Sequence, residues 1–280
     1  MFTTYRDATA QEHVLSTVAY IEVRTREGDI SIGTAFHIGF GYFVTARHVI
    51  EGHEILKVGQ SDLSAKTSIN PDGGRQERTT HPAFEQSGSE IRRFEHPEAD
   101  VALIQLTGNL GPRGPAGSLQ PAMELADHAD ILTEGELLMT NVRVFGYPPI
   151  PRALYSHPPL VTSPGEISAV VTNIADRRRH FIISGLARGG FSGGPVFLVD
   201  NPRVEAAAGP GLRDNSSTAI GVVVESLERR ASSDSSSADA RNFEPGFMDA
   251  ISIETVHEVI AHHKLPVRLP HWTEKGFLPG

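Results

Sequence analysis

The sequence predicts an all-β protein, built as a sandwich or as a pair of barrels. Short runs rich in Val, Ile, Thr, Phe and Tyr recur along the chain and stop at Gly, Pro, Asn or Asp, the pattern of strands between turns. Nine such runs stand out against only two segments with helical spacing, so strands build the core. Of the 280 residues, 39% are hydrophobic and 21% charged. That is enough apolar material for a real core over one or two domains.

In chain order the expected strands are 18–24, 31–38, 42–46, 100–106, 136–145, 166–172, 180–184, 195–199 and 219–225. A short N-terminal helix is expected over 11–17. A C-terminal one over 253–263 sets Val256, Val259 and Ile260 at helical spacing, with Pro266 just beyond its end. Residues 61–95 are polar, contain Pro71-Asp72-Gly73-Gly74, and read as a loop. Residues 108–120 are dense in Gly and Pro and read as the crossing between two domains, 1–113 and 114–280. Two polar inserts, 201–217 and 229–246, follow. The second is too rich in Ser, Ala and Asp to pack.

The formal net charge is −9. An acidic chain lacks the basic excess that a nucleic-acid or anionic-membrane surface requires, so neither is an expected partner. There is no cysteine, which excludes disulfides, thiolate catalysis and Cys-ligated metal, and fits a reducing compartment. The start, Met1-Phe2-Thr3-Thr4-Tyr5-Arg6-Asp7, lacks the basic and apolar regions of a signal peptide. No apolar run reaches the roughly 20 residues of a membrane span. The expected location is cytoplasmic.

Three fragments carry chemistry. They are Thr45-Ala46-Arg47-His48-Val49, Ala99-Asp100-Val101-Ala102-Leu103 and Gly189-Gly190-Phe191-Ser192-Gly193-Gly194-Pro195. Together, in the order His, Asp, Ser, they resemble the trypsin/chymotrypsin-like serine endopeptidases, and more closely the disulfide-free bacterial Deg/HtrA-type protease domain. Flanking stretches resemble it too: Phe145-Gly146-Tyr147-Pro148, Gly165-Glu166-Ile167-Ser168, Ile220-Gly221-Val222 and Asp249-Ala250-Ile251-Ser252-Ile253. The resemblance implies two six-stranded antiparallel β-barrels with the site between them. His48 and Asp100 would come from the first barrel and Ser192 from the second.

Elementary chemistry asks for the same residue types. A serine hydroxyl is nearly inert at neutral pH and needs a base within hydrogen-bond reach. His48 would take the Ser192 proton and return it to the leaving amine. Asp100 would fix the tautomer of His48 and stabilise the imidazolium. The amides of Gly190 and Ser192 would form the oxyanion hole, and a side chain at 190 would obstruct that turn. No metal or other cofactor is needed. The remaining histidines, among them His37, His53 and the trio His257, His262 and His263 on the last helix, read as structural or solvated.

Two departures matter. Phe191 stands where secreted trypsins carry Asp, so activation by a newly cut N-terminus is not expected, and Phe191 should pack inward to brace the oxyanion loop. After His263 the sequence given continues only to Gly280, so a peptide-binding regulatory domain is not expected and oligomer-coupled control is not carried over. By the resemblance, Leu186, Ala187 and Arg188 wall the first substrate pocket on one side, and Val223, Val224 and Glu225 on the other. Leu186 in place of an acid points to a small or medium aliphatic side chain. The expected partner is a polypeptide substrate, with a regulatory protein partner if the site is latent until ordered. The competing reading is a catalytically silent trypsin-like fold that serves as a binding or scaffold module.

Overall fold

A computed structural model describes residues 14–61, 82–87, 91–106, 122–126, 133–150, 158–186, 188–199, 218–227 and 246–267, without the side chains of 82–84, 86 and 225–227. Among the described residues, fourteen strands fall into two sheets. The first sheet holds β1 (Val18–Arg24), β2 (Ile30–Gly39), β3 (Tyr42–Thr45), β4 (Glu54–Ser61), β5 (Pro82–Ser87), β6 (Ile91–Glu95) and β7 (Ala102–Leu106), in the order β5-β4-β1-β2-β3-β7-β6. The second holds β8 (Glu124–Leu125), β9 (Asn141–Gly146), β10 (Val161–Thr172), β11 (Arg179–Gly185), β12 (Pro195–Leu198), β13 (Thr218–Leu227) and β14 (Phe247–Ser252), in the order β12-β9-β10-β11-β14-β13-β8.

The second sheet closes on itself, because β12 also pairs with β13. It is a six-stranded antiparallel barrel with the short β8 added in parallel outside it. The first sheet is entirely antiparallel, but among the described residues no ladder joins β5 to β6, so it curls into a half-barrel of seven strands. The double-barrel architecture therefore holds, while the expected six-and-six strand count applies only to the second half. The boundary expected at residue 113, the crossing at 108–120 and the inserts at 201–217 and 229–246 lie outside the described residues.

Differences from the sequence reading have local causes. The expected strand 136–145 begins late, at Asn141, because Thr133 and Glu136 form a capping box: the Thr133 amide and hydroxyl both donate to Glu136 Oε2, at 2.9 and 2.7 Å. That starts the one-turn helix α2 (Glu134–Leu137) instead. Within 61–95, read as loop, lie β5 and β6. These are the two edge strands of the open sheet, where one paired side is enough and few apolar residues are needed. Two further helices are α1 (Arg47–Ile50) and α3 (Glu254–His262). Of the expected helix at 11–17, only 14–17 are described, with 14 and 15 helical.

Of the three histidines on α3 and at its end, His262 is exposed as expected, while the other two are not solvated. His257 is buried, with Nε2 at 3.0 Å from the Ala126 carbonyl, and His263 lies half-buried at 3.0 Å from the Glu95 carbonyl. His37 is buried in β2, where its Nε2 accepts the Gly41 amide at the hairpin.

The halves meet through aromatic packing. Tyr20 of β1 and Tyr147 just after β9 are fully buried and stack edge-on at 5.5 Å, and Tyr147 Oη donates to the Val18 carbonyl at 3.1 Å. In the second half, His180 of β11 is 3% exposed and is held between two carboxylates, Asp249 at 2.8 Å from Nδ1 and Asp176 at 2.9 Å from Nε2. Burial pushes this imidazole down, but the hydrogen bonds and charges of Asp249 and Asp176 outweigh it and raise its pKa above the usual 6.5.

A histidine with a raised folded-state pKa stabilises fully below its unfolded pKa and loses that contribution as pH climbs through the folded value. The urea midpoint should therefore fall as pH is raised from about 6 into the alkaline range. His180→Gln should be less stable at the lower pH and show a flatter pH dependence. Parallel pH curves for the two proteins would contradict this assignment.

Candidate active site

His48 is the second residue of α1, which opens directly from the end of β3. The helix has no capping side chain of its own at Ala46. The cap arrives from far along the chain: Asp100 Oδ1 accepts the His48 amide at 2.8 Å. Its other oxygen, Oδ2, faces His48 Nδ1 at 2.6 Å. One carboxylate thus fixes both the backbone and the ring of the same residue. Burial raises the Asp100 pKa, but the His48 ring, the His48 amide and the charge of Arg47 outweigh this, and the carboxyl sits below its usual range. The ionised acid accepts the Nδ1 proton, which leaves the Nε2 lone pair facing outward on a side chain that is 47% exposed.

Asp100 is presented by a tight turn just before β7. The His96 amide donates to the Val101 carbonyl at 2.9 Å, closing the turn, and Arg47 Nη1 donates to the His96 carbonyl at 3.0 Å. His96 Nδ1 accepts the amides of Glu98 at 3.1 Å and Ala99 at 2.9 Å.

Ser192 lies in the loop 188–194 that leads into β12, and it is attached to the opposite half through Thr34. The Thr34 amide donates to the Ser192 carbonyl at 2.8 Å. Thr34 Oγ1 donates to the Gly190 carbonyl at 2.6 Å and accepts the Tyr147 amide at 3.0 Å. Thr45 Oγ1 donates in turn to the Thr34 carbonyl at 2.7 Å. Gly193, with φ +85°, presses so closely that an added Cβ would lie 2.1 Å from the Thr34 carbonyl and 2.9 Å from the Ala46 amide nitrogen. The Ser192 loop therefore rests on the segment that ends, two residues later, in His48.

Among the described residues, Ser192 Oγ makes no hydrogen bond, to His48 or to any other group, and the amides of Gly190 and Ser192 donate to no protein acceptor. Gly190 has φ +92°, and an added Cβ would lie 2.5 Å from the Tyr147 carbonyl, so only glycine fits the turn. Phe191 is 1% exposed and its ring lies against Gly146, the inward packing expected of it. Such a loop can offer two unpaired amides to a developing negative charge beside a hydroxyl and an imidazole, the elements of acyl-transfer chemistry.

The expected pocket residues scatter in exposure. Leu186 is 48% exposed, and its amide donates to Ser163 Oγ at 3.2 Å. Arg188 is exposed, and its carbonyl accepts the Phe191 amide at 3.4 Å. Val223 and Val224 are buried. The Val223 main chain is taken by Gly193 and Gly194, at 2.7 and 2.9 Å. Ala187 and the Glu225 side chain lie outside the described residues. The sequence motifs assign no task to Thr34 or to His96. Thr34 acts mainly through partners distant in the sequence, and His96 joins two nearby amides to the distant Glu258.

A trypsin-like peptidase domain model matches residues 33–204, more than half of the chain and all three fragments. The chain belongs to the trypsin-like peptidase family. Among curated proteins, none matches it by sequence. Solved structures agree on the fold. The HtrA-type protease AlgW with tripeptide is 18% identical at a TM-score of 0.55, over 92% of this chain and 64% of that one. A variant of AlgW with tripeptide is 17% identical at 0.56, over 96% and 64%. The Rv3671c protease of M. tuberculosis in its active form is 16% identical at 0.54, over 92% and 85%. The chain spans about two-thirds of the length of the AlgW chains. Family and fold together support a protease of the serine type.

Gly193→Ala adds left-handed backbone strain of about 1–2 kcal/mol and overpacking of about 1–3 kcal/mol. It should lower unfolding stability by about 2–5 kcal/mol, read by urea titration. A stability equal to wild type would show that the two halves can separate at this contact without cost.

Proposed function

We propose that the protein is a serine endopeptidase that cuts polypeptides through an acyl-enzyme. The observation that carries this reading is the Asp100 carboxylate bridging the amide and Nδ1 of His48, with the Ser192 loop bonded to the adjoining strands. In the first step His48 Nε2 takes the Ser192 proton as Oγ attacks the scissile carbonyl. The amides of Gly190 and Ser192 bind the resulting oxyanion, and Asp100 stabilises the imidazolium. His48 then protonates the leaving amine, the peptide bond breaks, and an ester to Ser192 remains. Water, deprotonated by His48, attacks that ester. The second tetrahedral species collapses, releasing the acid and returning the proton to Ser192. Catalytic hydrogen bonds are often long or misaligned before substrate arrives. Substrate is therefore assigned the closing of His48 onto Ser192, and a regulatory protein that orders this loop would act at the same step.

A fluorophosphonate probe should label Ser192, and His48→Ala should abolish labelling. Ser192→Ala should reduce turnover by about 10⁶-fold, and Asp100→Asn by about 10⁴-fold. Failure of every probe to label Ser192, in the presence or absence of peptide, would favour the silent scaffold instead.

The half-exposed Leu186 supports a first pocket that takes a small or medium aliphatic side chain. A fluorogenic peptide library should show Val, Ala or Leu preferred at the cleaved position. Selection of Lys or Arg would assign the pocket to an acidic residue.

A further inference from the structure

His96 stands four residues before Asp100 and is 4% exposed. The reaction does not call on it, yet both of its ring nitrogens are occupied. Nδ1 faces two donors, the amides of Glu98 and Ala99. Two N–H groups can converge only on a lone pair, so the ring proton resides on Nε2. That nitrogen faces Glu258 Oε2 of α3 at 3.0 Å. The same oxygen is held by Arg178, from the turn between β10 and β11, at 2.9 Å from Nε and 2.8 Å from Nη2. Arg178 also lies 3.7 Å from Glu98, inside the turn. Pro97 stiffens the backbone, since it fixes its own φ and keeps His96 extended.

We infer that His96 is a positioning residue for Asp100. Its ring gathers the two amides that precede Asp100, and Glu258 anchors the ring from the other half of the molecule. The argument is one of chemical fit. An aspartate or asparagine at 96 could accept the two amides, as in any Asx turn. The imidazole also reaches Glu258 with a donor on its opposite edge, so His96 ties the Asp100 turn to α3. The carboxylate's place over the His48 amide and Nδ1 is thereby set jointly by the turn and by the second half.

This inference rests on the proposed role of Asp100 in catalysis, but its test does not depend on activity alone. In ¹⁵N-histidine NMR spectra of the full chain, the His96 ring should carry its proton on Nε2. His96→Ala should shift the His48 Nδ1–H resonance, which reports the bond to Asp100, while the melting curve stays cooperative. In kinetics, His96→Ala should lower kcat on the order of 10²-fold, the size expected for a small misplacement, with KM changed by less than about twofold. His96→Asn, which restores the acceptor but not the bond to Glu258, should recover part of that loss. In the Asp100→Asn background, His96→Ala should cost little more, because the two act as a unit. A proton on Nδ1, an unmoved His48 resonance, or full additivity with Asp100→Asn would each overturn the inference. A wild-type protein without turnover would refute the endopeptidase reading while leaving the NMR test of His96 intact.

Discussion

Ser192 belongs to one sheet, but its position is dictated by the other. Thr34 of β2 uses its amide, hydroxyl and carbonyl together, and each hydrogen bond ends on the nucleophile loop, on Tyr147 or on β3. Buried main-chain groups left without partners cost about 1–3 kcal/mol each, so this knot resists partial opening. The loop it holds is built from residues that could not hold themselves. Gly190 and Gly193 occupy left-handed backbone, where each alternative side chain would collide with main chain of a neighbouring segment. The glycines permit the shape and Thr34 enforces it. A site assembled this way exists only while the two halves are docked, which explains why the contact is lined by the fully buried pair Tyr20 and Tyr147.

Among the described residues three histidines pair with carboxylates, His48, His96 and His180, and their surroundings separate an accessible imidazole from a closed one. His180 has a carboxylate on each nitrogen and almost no exposure. Its proton has nowhere to go and no substrate could reach it. His48 has one carboxylate, on Nδ1, and an outward Nε2 on a half-exposed ring. The first arrangement holds charge in a closed buried cluster and the second leaves a ring nitrogen accessible. His96 is a third case: it uses one nitrogen as acceptor and the other as donor, and so behaves as a rigid connector.

These roles decide how much could be read from sequence. The three fragments were legible because each is contiguous and its spacing encodes a local shape. Thr45 to Val49 is a strand running into a helix, and Gly190 to Pro195 is a glycine turn running into a strand. Strand β1 was legible to the residue, since its apolar residues are bounded by turn signals. Strands β5 and β6 were not. As edges of an open sheet they are defined by hydrogen bonds to β4 and β7, and backbone pairing leaves little trace in side-chain pattern. The cap of α1 was equally hidden, because it is supplied by Asp100, 52 residues away. The link from His96 to Glu258 spans 162 residues, and no local pattern can announce it.

The two halves also divide the work by stiffness. His48 and Asp100 sit on a capped helical turn and a proline-braced turn within the same sheet, so the base and its orienting acid form a preassembled pair. Ser192 and the two amides proposed to bind the oxyanion arrive on a loop whose conformation is completed by contact. Preorganised dipoles lower a barrier only if they need not reorganise as charge develops. The loop meets that condition through its bonds to β2 and through Phe191 wedged at Gly146, and not through its own sequence. Placing the adaptable element on the nucleophile side has a further consequence. Small shifts at the contact between halves would move Ser192 relative to His48 and Asp100 while leaving those two in place, because the pair is held within one sheet.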